Sequence, residues 1–209
     1  RDCPLRHSEI EKSILEGCNE AVEHAYYRRS VVEHPLFERS NTKNNLPPII
    51  WWNLGEGTSV TIQFLLKGFG SENTSSVRML NPTSTSEDVI NAVVDIVAQA
   101  GAKPCPPIFV GVGIGGSMDR AAYLSKRALL RDVTLRHPDS RYAALEHDIL
   151  GAVQALRIGS GGLGGDITAL NVAVETEPTH IAGLPLAVSI NCWAERKAQV
   201  VWEVDSCGN

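Results

Sequence analysis

No stretch of this chain approaches the roughly 18 consecutive apolar residues that a membrane span needs, and no apolar core follows a basic start in the first twenty residues. The expectation is a soluble, cytoplasmic protein with no membrane partner. Clustered Lys and Arg are missing too. The basic residues are scattered and the net charge is -5, so this surface is not built to neutralise a phosphate backbone and nucleic acid is excluded as a partner. Small anions are not excluded, because a few local cations suffice whatever the global sign. There is no Walker A loop, no H-E-x-x-H pair and no G-x-S-x-G elbow. P-loop phosphoryl transfer, zincin proteolysis and α/β-hydrolase chemistry therefore have no support.

A disulfide framework is absent as well. The five cysteines (Cys3, Cys18, Cys105, Cys192 and Cys207) are odd in number and irregularly spread. The chain has 209 residues, 43% hydrophobic and 21% charged, which is enough to build a core without such staples. It begins at Arg1 rather than Met, and the expectation is a fragment or a processed product.

Periodicity supplies the elements. Ser8 precedes a stripe of Ile10, Ile14, Cys18, Ala21, Val22 and Ala25 at helical spacing, which makes Cys18 a core residue on a helix face. Residues 48–54 and 59–66 are strand-like and joined by Gly55-Glu56-Gly57, predicting a hairpin. Ser86 caps a second helix with Val89, Ile90, Val93, Val94 and Val97 on one face and Gly101 at its end. A strand at 108–112, a glycine turn, and helices near 118–131 and 141–156 follow. The segment Gly159-Ser160-Gly161-Gly162-Leu163-Gly164-Gly165 is too rich in glycine for a regular element. Strands near 167–175, 184–191 and 198–204 close the chain. The order predicts an α+β fold, mixed β-sheets flanked by helices in a single domain over residues 1–209.

Four segments have the composition of a site. Cys105 stands in Lys103-Pro104-Cys105-Pro106-Pro107, where Pro106 disfavours the α region at Cys105 and predicts an extended, restricted segment suited to a metal-ligating thiolate. Cys192 ends the apolar run 184–190, 87 positions later, so a shared metal must be assembled by the fold and spacing alone does not name it. Gly111, Gly113 and Gly116 satisfy G-x-G-x-x-G between a strand and a helix, which keeps a nicotinamide-dinucleotide turn open beside an anion cradle or a plain tight turn. Lys67-Gly68-Phe69-Gly70-Ser71-Glu72-Asn73 sets a cation and polar side chains around two glycines, as a carboxylate-binding turn would. His180, by itself, reads as structural, and Arg28 and Arg29 either oppose a helix dipole or clamp a carboxylate.

Taken together and in order, Lys67-Gly68-x-Gly70-Ser71-Glu72-Asn73, Cys105-Pro106-Pro107, Gly111 to Gly116, Ile158-Gly159 to Gly165, His180-Ile181-Ala182-Gly183-Leu184-Pro185 and Cys192 resemble the α region of the class I fumarase and tartrate dehydratase family, from about residue 8 to residue 196. The resemblance implies an iron–sulfur hydro-lyase acting on a small dicarboxylate, with fumarate and malate favoured and tartrate next. It implies a 4Fe-4S cluster with Cys105 and Cys192 as two of its three cysteine ligands. It also implies that His180, an arginine of Tyr27-Arg28-Arg29-Ser30, and Gly68 and Gly70 bind substrate. Other substrate-binding residues belong to a β subunit or β domain, so homo- or hetero-oligomers are expected.

The family's first cluster cysteine and its neighbouring aspartate match nothing in this sequence, since Cys3 is followed by Pro4-Leu5-Arg6. Both are expected upstream of Arg1, and the isolated chain is expected to be inactive. Phe69 replaces a family glycine, and Asn41-Thr42-Lys43-Asn44-Asn45 departs from an Asn-Thr-Gly-Asp-Asn segment. The alternatives are a non-catalytic or iron-responsive assembly protein with the same fold, and a nicotinamide-dinucleotide enzyme using Gly111 to Gly116.

Overall fold

The computed structural model describes residues 6–203, so Cys3 and Cys207 lie outside the described residues. The elements are α1 (His7–His24), β1 (Ser59–Leu66), α2 (Phe69–Glu72), β2 (Ser76–Leu80), α3 (Ser86–Ala100), β3 (Ile108–Gly116), α4 (Met118–Leu130), α5 (Ser140–Gln154), β4 (Ala169–Thr179), β5 (Leu184–Asn191) and β6 (Arg196–Glu203). A single 3-10 turn at Ser160–Gly162 lies in the glycine-rich segment. The fold is mixed α and β, as expected. The described residues divide into two compact units, residues 6–60 with 202–203, and residues 61–201. Among the described residues no helix is long and apolar enough to cross a membrane.

The larger unit is built on a four-stranded sheet of order β2-β5-β3-β4, in which β3 and β4 are parallel and the other two pairings are antiparallel. Strand alternation decides its two faces. Ile108, Val110, Val112 and Ile114 of β3 point one way with Val172, Val174, Leu186, Val188 and Ile190. They meet Val89, Val93, Ile96 and Val97 of α3 and Leu145, Ile149 and Val153 of α5 in a buried core. The other face is lined by small residues. A Cβ on Gly111 would stand 2.1 Å from the Ser125 carbonyl oxygen, and one on Gly113 would stand 2.1 Å from that of Ala121. The missing side chains let α4 lie directly on β3, and the Ser125 and Ser189 hydroxyls meet at 2.8 Å across the same contact.

This corrects the reading of the glycine motif. Gly111 and Gly113 lie inside a strand that continues to Gly116, not in a loop, and close packing of α4 accounts for both. They leave no phosphate-binding turn at those positions.

The helix ends follow local chemistry. The Thr85 hydroxyl accepts from the Asp88 N–H while the Asp88 carboxylate accepts from the Thr85 N–H, a reciprocal cap one residue before the expected Ser86, and Gly101 closes α3 at φ 55°. Lys197 of β6 donates to the carbonyls of Leu129 and Arg131 at 3.0 and 2.7 Å, which binds up the orphaned acceptors at the end of α4.

Two other expectations are corrected, and one strand is new. β1 pairs with β6 in a separate two-stranded sheet, and residues 48–54 form no strand, so the predicted hairpin is absent. The run Pro47-Pro48 at the head of that segment removes two adjacent backbone donors, which suits irregular chain. Cys18 is half-buried and α1 buries no residue fully, so its stripe is not part of a core. Strand β2, too short and too mixed to show a period, was not expected.

Candidate functional site

Antiparallel pairing puts the start of β2 and the end of β5 at one end of the sheet, together with the starts of the parallel strands β3 and β4. Every loop entering or leaving the sheet there therefore converges. Those loops carry Lys67 to Glu72, Cys105, the glycine segment 159–165 and Cys192.

The two cysteine segments touch. Trp193 donates its backbone N–H to the Cys105 carbonyl at 3.4 Å, directly beside the Phe109↔Asn191 pair that starts the β3–β5 ladder. The glycine segment seals the same loop, with Gly161 N–H donating to the Pro106 carbonyl at 2.8 Å. A Cβ on Gly162 would stand 2.3 Å from that of Ala102, so only glycine admits this approach. Cys105 is exposed and sits at φ 57°, in the left-handed region rather than the extended conformation expected for a residue before proline. Pro106 does exclude the right-handed helix. The 3.1 Å bond from Cys105 N–H to the Ala102 carbonyl closes a tight turn that selects the opposite hand. A non-glycine residue held there is a strained position of the kind concentrated at functional sites. Cys192 is half-buried.

The Lys67 turn brings charge. Lys67 is 11% exposed, and its ammonium lies 2.8 Å from the Glu72 carboxylate and 3.3 Å from the Ser71 hydroxyl, which itself donates to the Gly68 carbonyl at 2.7 Å. Glu72 is also bonded by Lys126, which reaches over from α4. Burial pushes the Lys67 ammonium below its ordinary range, against the pull of Glu72. For Glu72, burial pushes the other way, but the bonds from Lys126 and Lys67 outweigh it and hold the carboxyl low. The turn stands near the second cysteine, because the Ser75 hydroxyl, which donates to the Ser71 carbonyl at 3.2 Å, accepts from the N–H of Ile190, two residues before Cys192, at 3.1 Å. The role of Lys126 was not legible: it lies 54 residues from Glu72, on a helix whose docking depends on the β3 glycines.

His180 is not in this cluster. It follows β4 and precedes β5, is exposed, and accepts only a local bond from the Ala182 N–H at 3.1 Å. The eight-residue strand β5 separates it from Cys192 by roughly 25 Å at the usual strand rise.

Arg28 and Arg29 belong to the smaller unit and are exposed. They lie beyond the end of α1, in irregular chain shaped by Asn41 and Asn45. The Asn45 carboxamide accepts from the N–H groups of Ser30 and Val31 at 2.6 and 3.2 Å and donates to the Arg28 carbonyl at 2.9 Å. Asn41 donates to the Arg29 carbonyl at 3.0 Å. The two segments singled out in the sequence thus form one structure. Lys43, where the family pattern has glycine, sits at φ 66°. Lys43→Gly is expected to stabilise this turn by about 1 kcal/mol, raising the melting temperature by ~2–4 °C in a thermal scan. A lowered melting temperature would show that the lysine makes a contact worth more than its strain.

The chemistry available at this sheet end is that of two cysteine segments in backbone contact and a largely buried ammonium. Among the described residues no group of three or more His, Cys, Asp or Glu is gathered as metal ligands. A surface depression of ≈ 660 Å³ along β2 and α3, lined by Arg78, Asp88 and Asp95 among others, holds neither cysteine.

Comparison with known proteins places this architecture. The family described as fumarate hydratase (fumerase) matches residues 1–201. The putative L(+)-tartrate dehydratase subunit alpha of Methanocaldococcus jannaschii is 45% identical over 202 residues, covering 93% of this chain and 70% of that protein. The L(+)-tartrate dehydratase subunit alpha of Escherichia coli O157:H7 is 30% identical over 201 residues, covering 94% of this chain and 66% of that protein. The same subunit of Escherichia coli strain UTI89 is 31% identical over 193 residues, covering 90% and 63%. The chain thus spans about two thirds of the length of these relatives. With the match extending over nearly the whole sequence, the chain belongs to the fumarate hydratase (fumerase) family.

Proposed function

We propose that this chain is the α part of an iron–sulfur hydro-lyase that adds water to, or removes it from, a small dicarboxylate, and that Cys105 and Cys192 are two of the ligands of its 4Fe-4S cluster. The observation that supports the reading is the Trp193 to Cys105 hydrogen bond, which sets two cysteines distant in sequence side by side at one sheet end. Soft thiolates suit such a group, and its third protein sulfur comes from outside the described residues. When bound, the group supplies a Lewis acid for the substrate's hydroxyl and carboxylate.

This chain's residues do the rest of the positioning. Gly68 has open space where a side chain would stand, so a carboxylate can approach the Lys67 turn. Phe69, three-quarters exposed on that turn, narrows the range of substrates that fit. Arg28 and Arg29, on a loop of the smaller unit fixed by Asn41 and Asn45, are the carboxylate-binding arginines that the family resemblance implies. His180, far from its own Cys192, binds substrate at the site of another copy of the chain. The remaining cations, and the base that takes the carbon-bound proton, come from a β partner and from residues outside this chain. The motif pattern favours fumarate and malate, whereas the relatives' names favour L(+)-tartrate, and on their 45% and 30% identities we take tartrate as the preferred substrate.

The test is an anaerobic assay of the complete protein with its β partner on L(+)-tartrate and on L-malate. Iron-dependent dehydration with the higher kcat/KM on tartrate is expected, and none from the 209-residue chain alone. Mixing His180→Ala copies with Cys192→Ser copies is expected to restore activity that neither has by itself. Activity of the isolated chain, or failure of the mixture where each variant assembles normally, would contradict this division of roles.

A further inference from the structure

Asn191 is fully buried, yet neither its carbonyl oxygen nor its amide nitrogen has a hydrogen-bond partner among the described residues. A buried carboxamide left unpaired costs about 1–3 kcal/mol, so its presence calls for an explanation. Its place supplies one. Asn191 is the last residue of β5, immediately before Cys192 and opposite Phe109. It shares the α4 side of the sheet with Ser189, whose hydroxyl meets Ser125.

The same side carries an imbalance of charge. Lys67 and Lys126 share the single carboxylate of Glu72, one cation more than that carboxylate balances, and the Lys67 turn is tied to the end of β5 that leads into Cys192: Lys67 bonds the Ser71 hydroxyl, Ser75 donates to the Ser71 carbonyl at 3.2 Å, and the Ser75 hydroxyl accepts from the Ile190 N–H at 3.1 Å. Lys67 is nearly buried, so water screens its excess charge poorly. Two features that are unfavourable in the chain by itself, an unpaired carboxamide and an unbalanced ammonium, thus flank one cysteine. Both become favourable beside an anionic, hydrogen-bond-accepting group.

We propose that Lys67 and Asn191 are positioning residues for the metal group held at Cys192: Lys67 balances the negative charge of its sulfur ligands, and the Asn191 amide donates a hydrogen bond toward a sulfur at that edge. The inference rests on the cluster reading above. Hydrogen bonds and charge around the sulfurs govern how firmly such groups are held and how easily they are oxidised. No bond is made or broken by either residue.

The test uses the complete protein with its β partner, reconstituted anaerobically with iron and sulfide. Iron loss to a chelator is followed for the wild type, Lys67→Met, Lys67→Arg and Asn191→Leu, and the melting temperature of each metal-free protein is recorded. Lys67→Met and Asn191→Leu are expected to lose iron about 10-fold faster or more. Lys67→Arg, which keeps the charge, is expected to recover much of the retention. Metal-free Asn191→Leu is expected to melt at or above the wild-type temperature, because an unpaired polar group gives way to an apolar one of similar volume. Iron loss at the wild-type rate in both Lys67→Met and Asn191→Leu would overturn the proposal. So would a metal-free Asn191→Leu protein that melts far below the wild type, since the carboxamide would then be structural. A wild type that takes up no iron and sulfide would remove the cluster reading itself, an outcome distinct from a loaded wild type with indifferent variants.

Discussion

Serine at Cys105 or at Cys192 is expected to leave a folded protein that no longer retains iron and whose dehydration rate in the complete complex falls about a thousandfold or more. That corresponds to the several kcal/mol a Lewis-acid metal supplies to charge developing on a leaving oxygen. Folding should survive because neither thiol makes a core contact: Cys105 is exposed and Cys192 half-buried. A third variant separates conformation from chemistry. Cys105 sits at φ 57°, where glycine is at ease, so Cys105→Gly is expected to stabilise the metal-free protein by about 1 kcal/mol while losing iron as completely as Cys105→Ser. Iron content by colorimetric assay and melting temperature by circular dichroism check both halves. Full iron retention in either serine variant would remove that cysteine from the site.

The second large effect concerns the layer that presents the site. Gly113→Ala introduces a methyl group 2.1 Å from the Ala121 carbonyl oxygen and 2.6 Å from the Ser125 nitrogen, both backbone atoms of α4 that no rotamer change can move. The helix must lift from the sheet. Overpacking against fixed backbone costs about 3 kcal/mol, which lowers the melting temperature of a chain this size by ~6–12 °C. Because Lys126 reaches Glu72 from α4, the same substitution is expected to disturb the Lys67 turn, more than 40 residues away in sequence. Thermal melting together with amide exchange at Ser71 and Glu72 checks this. Wild-type melting in Gly113→Ala would show that α4 is not seated as described.

Much of this architecture was legible from local pattern. The stripes at 89–97 and 121–129 predict α3 and α4 because each buries one face against the sheet, and the apolar runs at 167–175 and 184–191 predict β4 and β5. The pairing of strands was not, because it depends on partners distant in sequence. Nothing local says that β1 joins β6 rather than residues 48–54. The G-x-G-x-x-G pattern misled for a definite reason: glycine serves a tight turn and a close helix crossing equally well, and only the position of α4 tells them apart.

At the site, the cysteines and the Lys67 turn were legible as chemistry but not as a cluster, since their convergence follows from strand direction. The separation of His180 from Cys192 follows from the same directions and was hidden by their closeness in sequence. Lys126 and Asn191 carry no motif. Their significance appears only with the Glu72 ion pairs and with the lack of a partner, among the described residues, for a fully buried carboxamide.

The most direct test of the central claim is the iron and acid-labile sulfide content of the complete protein after anaerobic reconstitution, with Mössbauer spectra of the wild type, Cys105→Ser and Cys192→Ser. The account predicts iron and sulfide in equal amounts, with the spectrum of a cubane cluster in the wild type and its loss in both variants. A wild type that binds no iron and sulfide, or serine variants that keep the wild-type spectrum, would contradict it.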